Sequence, residues 1–440
     1  MPYQQGSRLP GERASRLGHL DILDYPLVNE LLESFKRQYV PDECRAVEWQ
    51  EMPDSGEPLK YIFAVDGSLQ RIDHDTVPYS SIAFIKTAMI KLDTHALARV
   101  DKENPHPFEL RDILRESVIF HATLLPLRNT WYEGSTIYDT VRQTIYKSIC
   151  DASSGMNGQI LETLKWLAYR KWEETRRGLP EFECPHRHEG SKHLTTLPYN
   201  AESGRCPTCG KEVYITDFLG FHLDMGDEAA SPTIASTYMI LHETLLLFTA
   251  IRLFWENHRE LLTECLFLKD GPLSIRAQYS KLVEPIRSFL AYAQENGHSI
   301  HIIGQEKSGT FYDHLQFIGK DGPTMSYLIL QDLYIKRHIQ CRPENGAPYG
   351  KDTNYGAKVF VKLNNYHMMV LNVPFGLYTQ NPRSEDLIGW ERIFATLPTI
   401  LSNRYEGALL PIELANGIAS LSTYPSAKIL KLFSEEGLHP

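Results

Sequence analysis

The chain has 440 residues and a mass of 50.4 kDa, a length that accommodates about two to four domains, or one large domain with insertions. Hydrophobic residues make up 42% and charged residues 23%. That is enough apolar side chain for a core, which excludes disorder, collagen-like repeats and low complexity. The net charge of −10, from 45 basic and 55 acidic residues, excludes a protein that coats nucleic acid non-specifically; DNA binding would need a local basic groove or a partner.

Residues 1–16 are polar with scattered arginines, so no export or membrane segment is expected there. The most apolar stretch, 238–255, contains His242, Glu243 and Arg252 and reads as a buried helix rather than a membrane span. Seven cysteines, an odd number in a long chain, argue against a secreted disulfide scaffold and for a cytoplasmic protein.

Leu20, Leu23, Leu27, Leu31 and Phe35 recur at helical spacing and predict a helix over 18–45. This N-terminal segment, 1–55, is a candidate for dimer or partner contacts, with core packing as the plainer use. Tyr61-Ile-Phe-Ala-Val65 predicts a buried strand ending at Asp66-Gly67-Ser68, with 81–90 as its neighbour. Helices are predicted over 106–150 and 157–177, then a polar segment rich in Cys and His over 181–216. A long helix over 232–262 leads into the strand Cys265-Leu-Phe-Leu268, which ends at Asp270-Gly271-Pro272. A helix over 279–296, a strand over 298–303, a hairpin turning at Asn364-Asn365 and a helix over 410–421 follow. Mixed strands and helices, with acids at strand ends, predict an α/β sheet carrying its site at those ends.

Asp66-Gly-Ser and Asp270-Gly-Pro-Leu are like motifs, each after a buried strand. On adjacent strands their carboxylates could hold Mg²⁺ or Mn²⁺ and position a phosphate for attack by water. An isolated Asp-Gly is more often a turn, as Asp321-Gly-Pro is expected to be. Glu243 is the lone acid in its apolar helix and needs a proton, a cation or a metal; a pair with Arg252 or His242 is the alternative.

Taken in order, Phe63-Ala-Val-Asp66-Gly-Ser, the helical Glu243, Phe267-Leu-Lys-Asp270-Gly-Pro-Leu and Ile302-Ile-Gly-Gln-Glu-Lys307-Ser resemble the NurA nuclease family. The resemblance covers about residues 58–425. It implies a ribonuclease-H-like mixed sheet flanked by helices, in a nuclease domain over 56–425 with 181–216 inserted. It implies a manganese- or magnesium-dependent deoxyribonuclease, exonuclease or endonuclease, working as a homodimer on a HerA-type hexameric ATPase in DNA-end repair or phage defence. By this resemblance Asp66, Glu243 and Asp270 are metal ligands, and Lys307 lies near the scissile phosphate. The family's last helix carries a His that completes the site, where Leu410-Pro-Ile-Glu-Leu-Ala-Asn416 has Asn. Asn416 can ligate or hydrogen-bond but cannot shuttle a proton; Tyr366 and His367 in the hairpin are candidate substitutes. The other reading is a catalytically weak adaptor of such a motor.

Cys184-Pro-His186-Arg-His188 and Cys206-Pro-Thr-Cys209-Gly210 have the spacing of a zinc ribbon. His186 or His188 is the expected fourth ligand, with His193 a third option. Four protein ligands would make the Zn²⁺ structural, bracing the domain or contacting DNA or a partner. The densest basic patch, Arg170-Lys-Trp-Glu-Glu-Thr-Arg-Arg177, reads as a solvated helix face. A ring motor that holds the DNA would make up for so sparse a basic surface.

Overall fold

The computed structural model describes residues 22–35, 47–53, 56–74, 77–94, 118–153, 158–173, 178–186, 192–226, 230–421 and 425–438, and divides into two units, Met1–Val47 and Glu48–Pro440. In the first unit, α1 spans Pro26–Ser34, with the fixed φ of Pro26 suiting the first turn, and buries none of its residues. The predicted 18–45 helix is thus shorter among the described residues, ending at Ser34 with Phe35 extended; residues 18–21 and 36–45 lie outside them.

The second unit is organised by a nine-stranded mixed sheet. Its first four strands are β1 (Gln50–Glu51), β2 (Tyr61–His74), β3 (Ser80–Asp93) and β4 (Val118–Arg128). Helices α2 (Ile137–Ile149) and α3 (Gln159–Ala168) follow, then two short hairpins, β5–β6 (Glu181–Glu183, Leu194–Thr196) and β7–β8 (Ser203–Arg205, Glu212–Tyr214). After α4 (Pro232–Asn257) come β9 (Cys265–Asp270), α5 (Val283–Glu295), β10 (His301–Glu306), α6 (Thr310–Ile318), β11 (Ser326–Ile329), β12 (Gly356–Lys362) and β13 (Met368–Pro374). Helices α7 (Leu410–Ala419) and α8 (Ser426–Gly437) close the described chain. The sheet order is β1-β11-β12-β13-β10-β9-β2-β3-β4. Within it, β4-β3-β2 are antiparallel and β2-β9-β10 parallel, the ribonuclease-H-like arrangement.

Alternation along β2 decides which layer each residue joins. Phe63 and Val65 pack with Phe267 and Ile302 on the face covered by α4. Ile62 and Ala64 pack with Leu266, Leu268 and Ile303 on the opposite face, covered by α7. Burial on both faces is why these strands read as unbroken apolar runs. Helix α4 is apolar nearly all round and passes through the core; it is the one described helix long and apolar enough to cross a membrane. Ser231 caps its first turn by accepting from Thr233 N–H, and Pro232 stands at N1.

Several predicted elements differ: β10 runs over His301–Glu306 rather than 298–303, α4 ends at Asn257 rather than 262, and three more depart further. Strand β2 does not stop at Asp66; it runs on to His74, paired with β3 throughout. Residues 118–128 are a strand rather than helix, because their aromatic and β-branched side chains pair along β3. Helix α3 ends at Ala168 instead of Arg177.

Candidate metal centre and a cysteine–histidine cluster

The parallel partner decides where the acids sit. Val65 is opposite Lys269, the last pair of β2 with β9, and Asp270 is opposite Gln305 on β10. Asp66, Asp270 and Gln305 therefore stand side by side where β9 and β10 end. By the alternation of each strand they share the face covered by α7. That helix is tied down by Lys86 Nζ on Ile418 O at 2.6 Å and by Leu421 N–H on Ser68 Oγ at 3.0 Å.

Asp66 is 4% exposed. Its Oδ1 accepts from Gly67 N–H at 2.7 Å, while its Oδ2 is buried with no hydrogen-bond partner. Burial, then the charges of Asp270 and Glu243, push its carboxyl up to about 7, against the pull of the Asn416 side chain and the Gly67 N–H. Burial and the neighbouring acids disfavour the carboxylate form there, so the group calls for a proton or a cation.

Glu243 arrives from the other face, on α4. Gly67 leaves the gap it needs: a Cβ there would lie 2.5 Å from Glu243 Oε1. Its other oxygen, Oε2, accepts from Lys269 Nζ at 2.7 Å, with both side chains buried. Burial pushes the Glu243 carboxyl up and Lys269 opposes it, while Lys269 stays protonated because its carboxylate neighbours outweigh its own burial. The expected partners take no part in this. Arg252 bonds Glu256, Thr163 and Gln159, and His242 Nδ1 faces Thr87 Oγ1.

Lys307 Nζ donates to Asp270 Oδ2 at 3.0 Å from a half-exposed position at the mouth of the site. Asn416 reaches Asp66 from α7. The structure thus joins Asp66, Glu243, Asp270, Lys307 and Asn416. His367 is engaged elsewhere: Nδ1 meets Asn364 Nδ2 at 3.1 Å and Nε2 meets Ser402 O at 3.0 Å. One ring nitrogen serves the hairpin turn and the other the segment that leads into α7. Tyr366 is likewise spent on Asn403 O.

Three residues here escaped the sequence reading. Lys269 was signalled by a lone cation in an apolar strand beside a lone acid in an apolar helix. Gln305 donates to Gly407 O at 2.6 Å, leaving its Oε1 buried and unpartnered. Glu413, one turn before Asn416, has a buried, unpartnered Oε1 and a carboxyl raised by burial, with Ser402, Arg404 and Lys307 opposing.

The divalent ion suggested by the motifs is consistent with this donor set. Asp66 Oδ2 is an orphaned buried acceptor, Asp270 lies in register beside it, and oxygen donors suit Mn²⁺ or Mg²⁺.

The insertion forms the two small hairpins. Cys184, His193, Cys206 and Cys209 bring one ligand atom each within 4.8 Å of one another. His193 therefore replaces the expected His186, whose Nε2 is bonded to Glu212 O at 2.7 Å. His188 lies outside the described residues. Burial raises the Cys206 thiol, but hydrogen bonds to the sulfur, among them those of the Cys209 and Thr208 backbone, hold it down to about 5.

No family model matches the chain, and no curated protein sequence matches it. Among solved structures it is similar to the NurA nuclease from Sulfolobus solfataricus, at 10% identity over 96% of this chain and 97% of that one, with a TM-score of 0.36. It is also similar to a second NurA structure, at 14% identity over 96% and 97% of the two chains with a TM-score of 0.28. A third, NurA bound to dAMP and manganese, shares 13% identity over 98% of each chain with a TM-score of 0.27.

Proposed function

We propose that this chain is a metal-dependent deoxyribonuclease. The observation that carries the reading is Asp66: a buried carboxylate with a free oxygen, beside Asp270 and within reach of the charge of Glu243. Three acids far apart in sequence are assembled at a stated electrostatic cost, and a divalent cation offsets that cost. The ordered motifs resembling NurA nucleases supply the substrate class, DNA.

Asp66 and Asp270 would hold Mn²⁺ or Mg²⁺, which would supply an activated water and charge neutralisation at the phosphate. Glu243, clamped by Lys269, would add a third acid to the centre from the opposite face of the sheet. Lys307 swings from Asp270 to a phosphate oxygen when substrate enters, since its half-exposed amine is a point charge on a flexible stem. Asn416, which lowers the Asp66 carboxyl from α7, would help to keep it ionised. As part of the same proposal, the chain works as a cytoplasmic homodimer on a HerA-type ATPase hexamer, in DNA-end processing or phage defence.

The test is Asp66→Asn and Asp270→Asn, assayed for Mn²⁺-dependent cleavage of DNA and for Mn²⁺ binding by calorimetry. Each variant is expected to lose at least ~100-fold in cleavage and to lose the binding isotherm. Cleavage at the parent rate in either variant rejects the assignment.

One observation favours the adaptor reading: Lys269 and Lys307 already neutralise two of the three acids. An adaptor binds no Mn²⁺ at this centre, so the same calorimetry separates the two.

A further inference from the structure

We propose that Cys184, His193, Cys206 and Cys209 form a closed, structural Zn²⁺ site that cross-links the two hairpins of the insertion. The inference is independent of the nuclease reading.

The four ligand atoms lie within 4.8 Å of one another, close enough for one ion to join them. Zn–S bonds of about 2.3 Å and Zn–N bonds of about 2.0–2.1 Å require ligand-to-ligand edges of roughly 3.4–3.8 Å. Two of the six edges are 3.8 Å, for Cys184 Sγ to Cys209 Sγ, and 3.2 Å, for His193 Nε2 to Cys206 Sγ, the first within that range and the second a little short of it. A disulfide is a different object, with sulfurs about 2.05 Å apart, and all four positions are filled without one.

The backbone explains why these four side chains meet. Cys184 and His193 extend the β5–β6 ladder by one pair: Glu183 faces Leu194, and Cys184 N–H donates to His193 O at 2.9 Å. Cys206 and Cys209 form the knuckle between β7 and β8. Cys206 N–H donates to Lys211 O, Gly210 N–H donates to Cys206 O, and the positive φ of Gly210, +68°, folds the chain back. Each hairpin gives two ligands. The hairpins belong to separate two-stranded sheets of three-residue strands, and such hairpins are marginal alone. The ion supplies the link that the ladders lack.

Four protein ligands leave no open position for water or substrate, so the role is structural. The braced segment is tied to α2 by Tyr138 O–H on Pro185 O at 2.7 Å and by the buried pair of Arg142 with Asp217 at 2.9 Å.

The test uses the full chain carrying Asp66→Asn and Asp270→Asn, so that the carboxylate centre contributes no zinc. Protein made with zinc in the medium is expected to hold about one Zn²⁺ per chain by elemental analysis. His186→Ala keeps that zinc. His193→Ala gives it up to a chromophoric chelator at least ~tenfold faster, and His193→Cys retains it. Cobalt exchanged into the unmutated cluster is expected to show tetrahedral d–d bands with thiolate charge transfer, moved by His193→Cys toward a four-thiolate spectrum. Zinc-free protein, a cobalt spectrum without thiolate charge transfer, or loss of metal in His186→Ala with retention in His193→Ala overturns the proposal.

Discussion

A Cβ on Gly67 would lie 2.5 Å from Glu243 Oε1 and 2.6 Å from Met239 Cγ. The glycine is required by close approach, since it is the opening through which an acid on one face of the sheet reaches acids on the other. Gly67→Ala is expected to displace the Glu243 carboxylate and to lower cleavage about 100-fold, the cost typical of ångström-scale misplacement. Kinetics under saturating Mn²⁺ check this, and a Gly67→Ala enzyme at the parent rate removes Glu243 from the centre. Lys269 is the complementary case. Removing it strands a buried carboxylate, which costs roughly 3–5 kcal/mol. Lys269→Met is expected to lower stability by that amount in denaturant titration, and Lys269→Met with Glu243→Leu to recover most of it. If the single and double variants are equally destabilised, the pair is not coupled.

Element by element, legibility followed the physics of each signal. The runs in β2 and β9 were readable because burial on both faces leaves an unbroken apolar stretch, and the hairpin β12–β13 because its first strand alternates and Asn364-Asn365 marks the turn. Asp66 and Asp270 were readable for the same reason, each standing next to such a run. Strand β4 was misread because its pairing with β3, and not its own pattern, makes it a strand. Which histidine joins the three cysteines depends on which residue continues the β5–β6 ladder, a matter of register that spacing does not encode. Elements also carry titrations unrelated to the site. His301 on β10 is held down to about 4 by burial and then by the nearby Arg392 guanidinium, and His314 on α6 to about 4 by burial and then by His338. Each stays neutral in the folded chain until about pH 4 but takes its proton near the ordinary value when unfolded. Between those values the unfolded chain binds more protons, so stability is complete above about pH 6.5 and falls as the pH drops through the window. The loss reaches at most about 3 kcal/mol per histidine. Calorimetry at pH 7 and pH 5 is expected to show the lower melting temperature at pH 5, and His314→Gln to flatten the slope; a slope unchanged by that substitution assigns the loss to other groups.

For the whole molecule, charge sets the terms on which DNA is met. With 45 basic against 55 acidic residues, the chain has no surplus with which to hold a polyanion. Among the described residues, the cations near the centre that are not fully buried, Lys86, Lys307 and Arg404, are also engaged with Ile418 O, Asp270 and the neighbourhood of Glu413. Three phosphate contacts give a salt dependence of slope near −2.7, so affinity falls about 40-fold between 50 and 200 mM salt. The isolated protein is therefore expected to lose subsaturating cleavage by about that factor over this range. If a ring ATPase holds the DNA, the motor's own contacts bear the salt dependence and the chain receives substrate at high local concentration. Cleavage with the motor and ATP present is then expected to lose less than about fivefold over the same range. Parallel salt curves, with and without the motor, decide the matter. If the two decline together, the motor does not deliver the substrate, and DNA is held by contacts on this chain that its charge balance does not reveal.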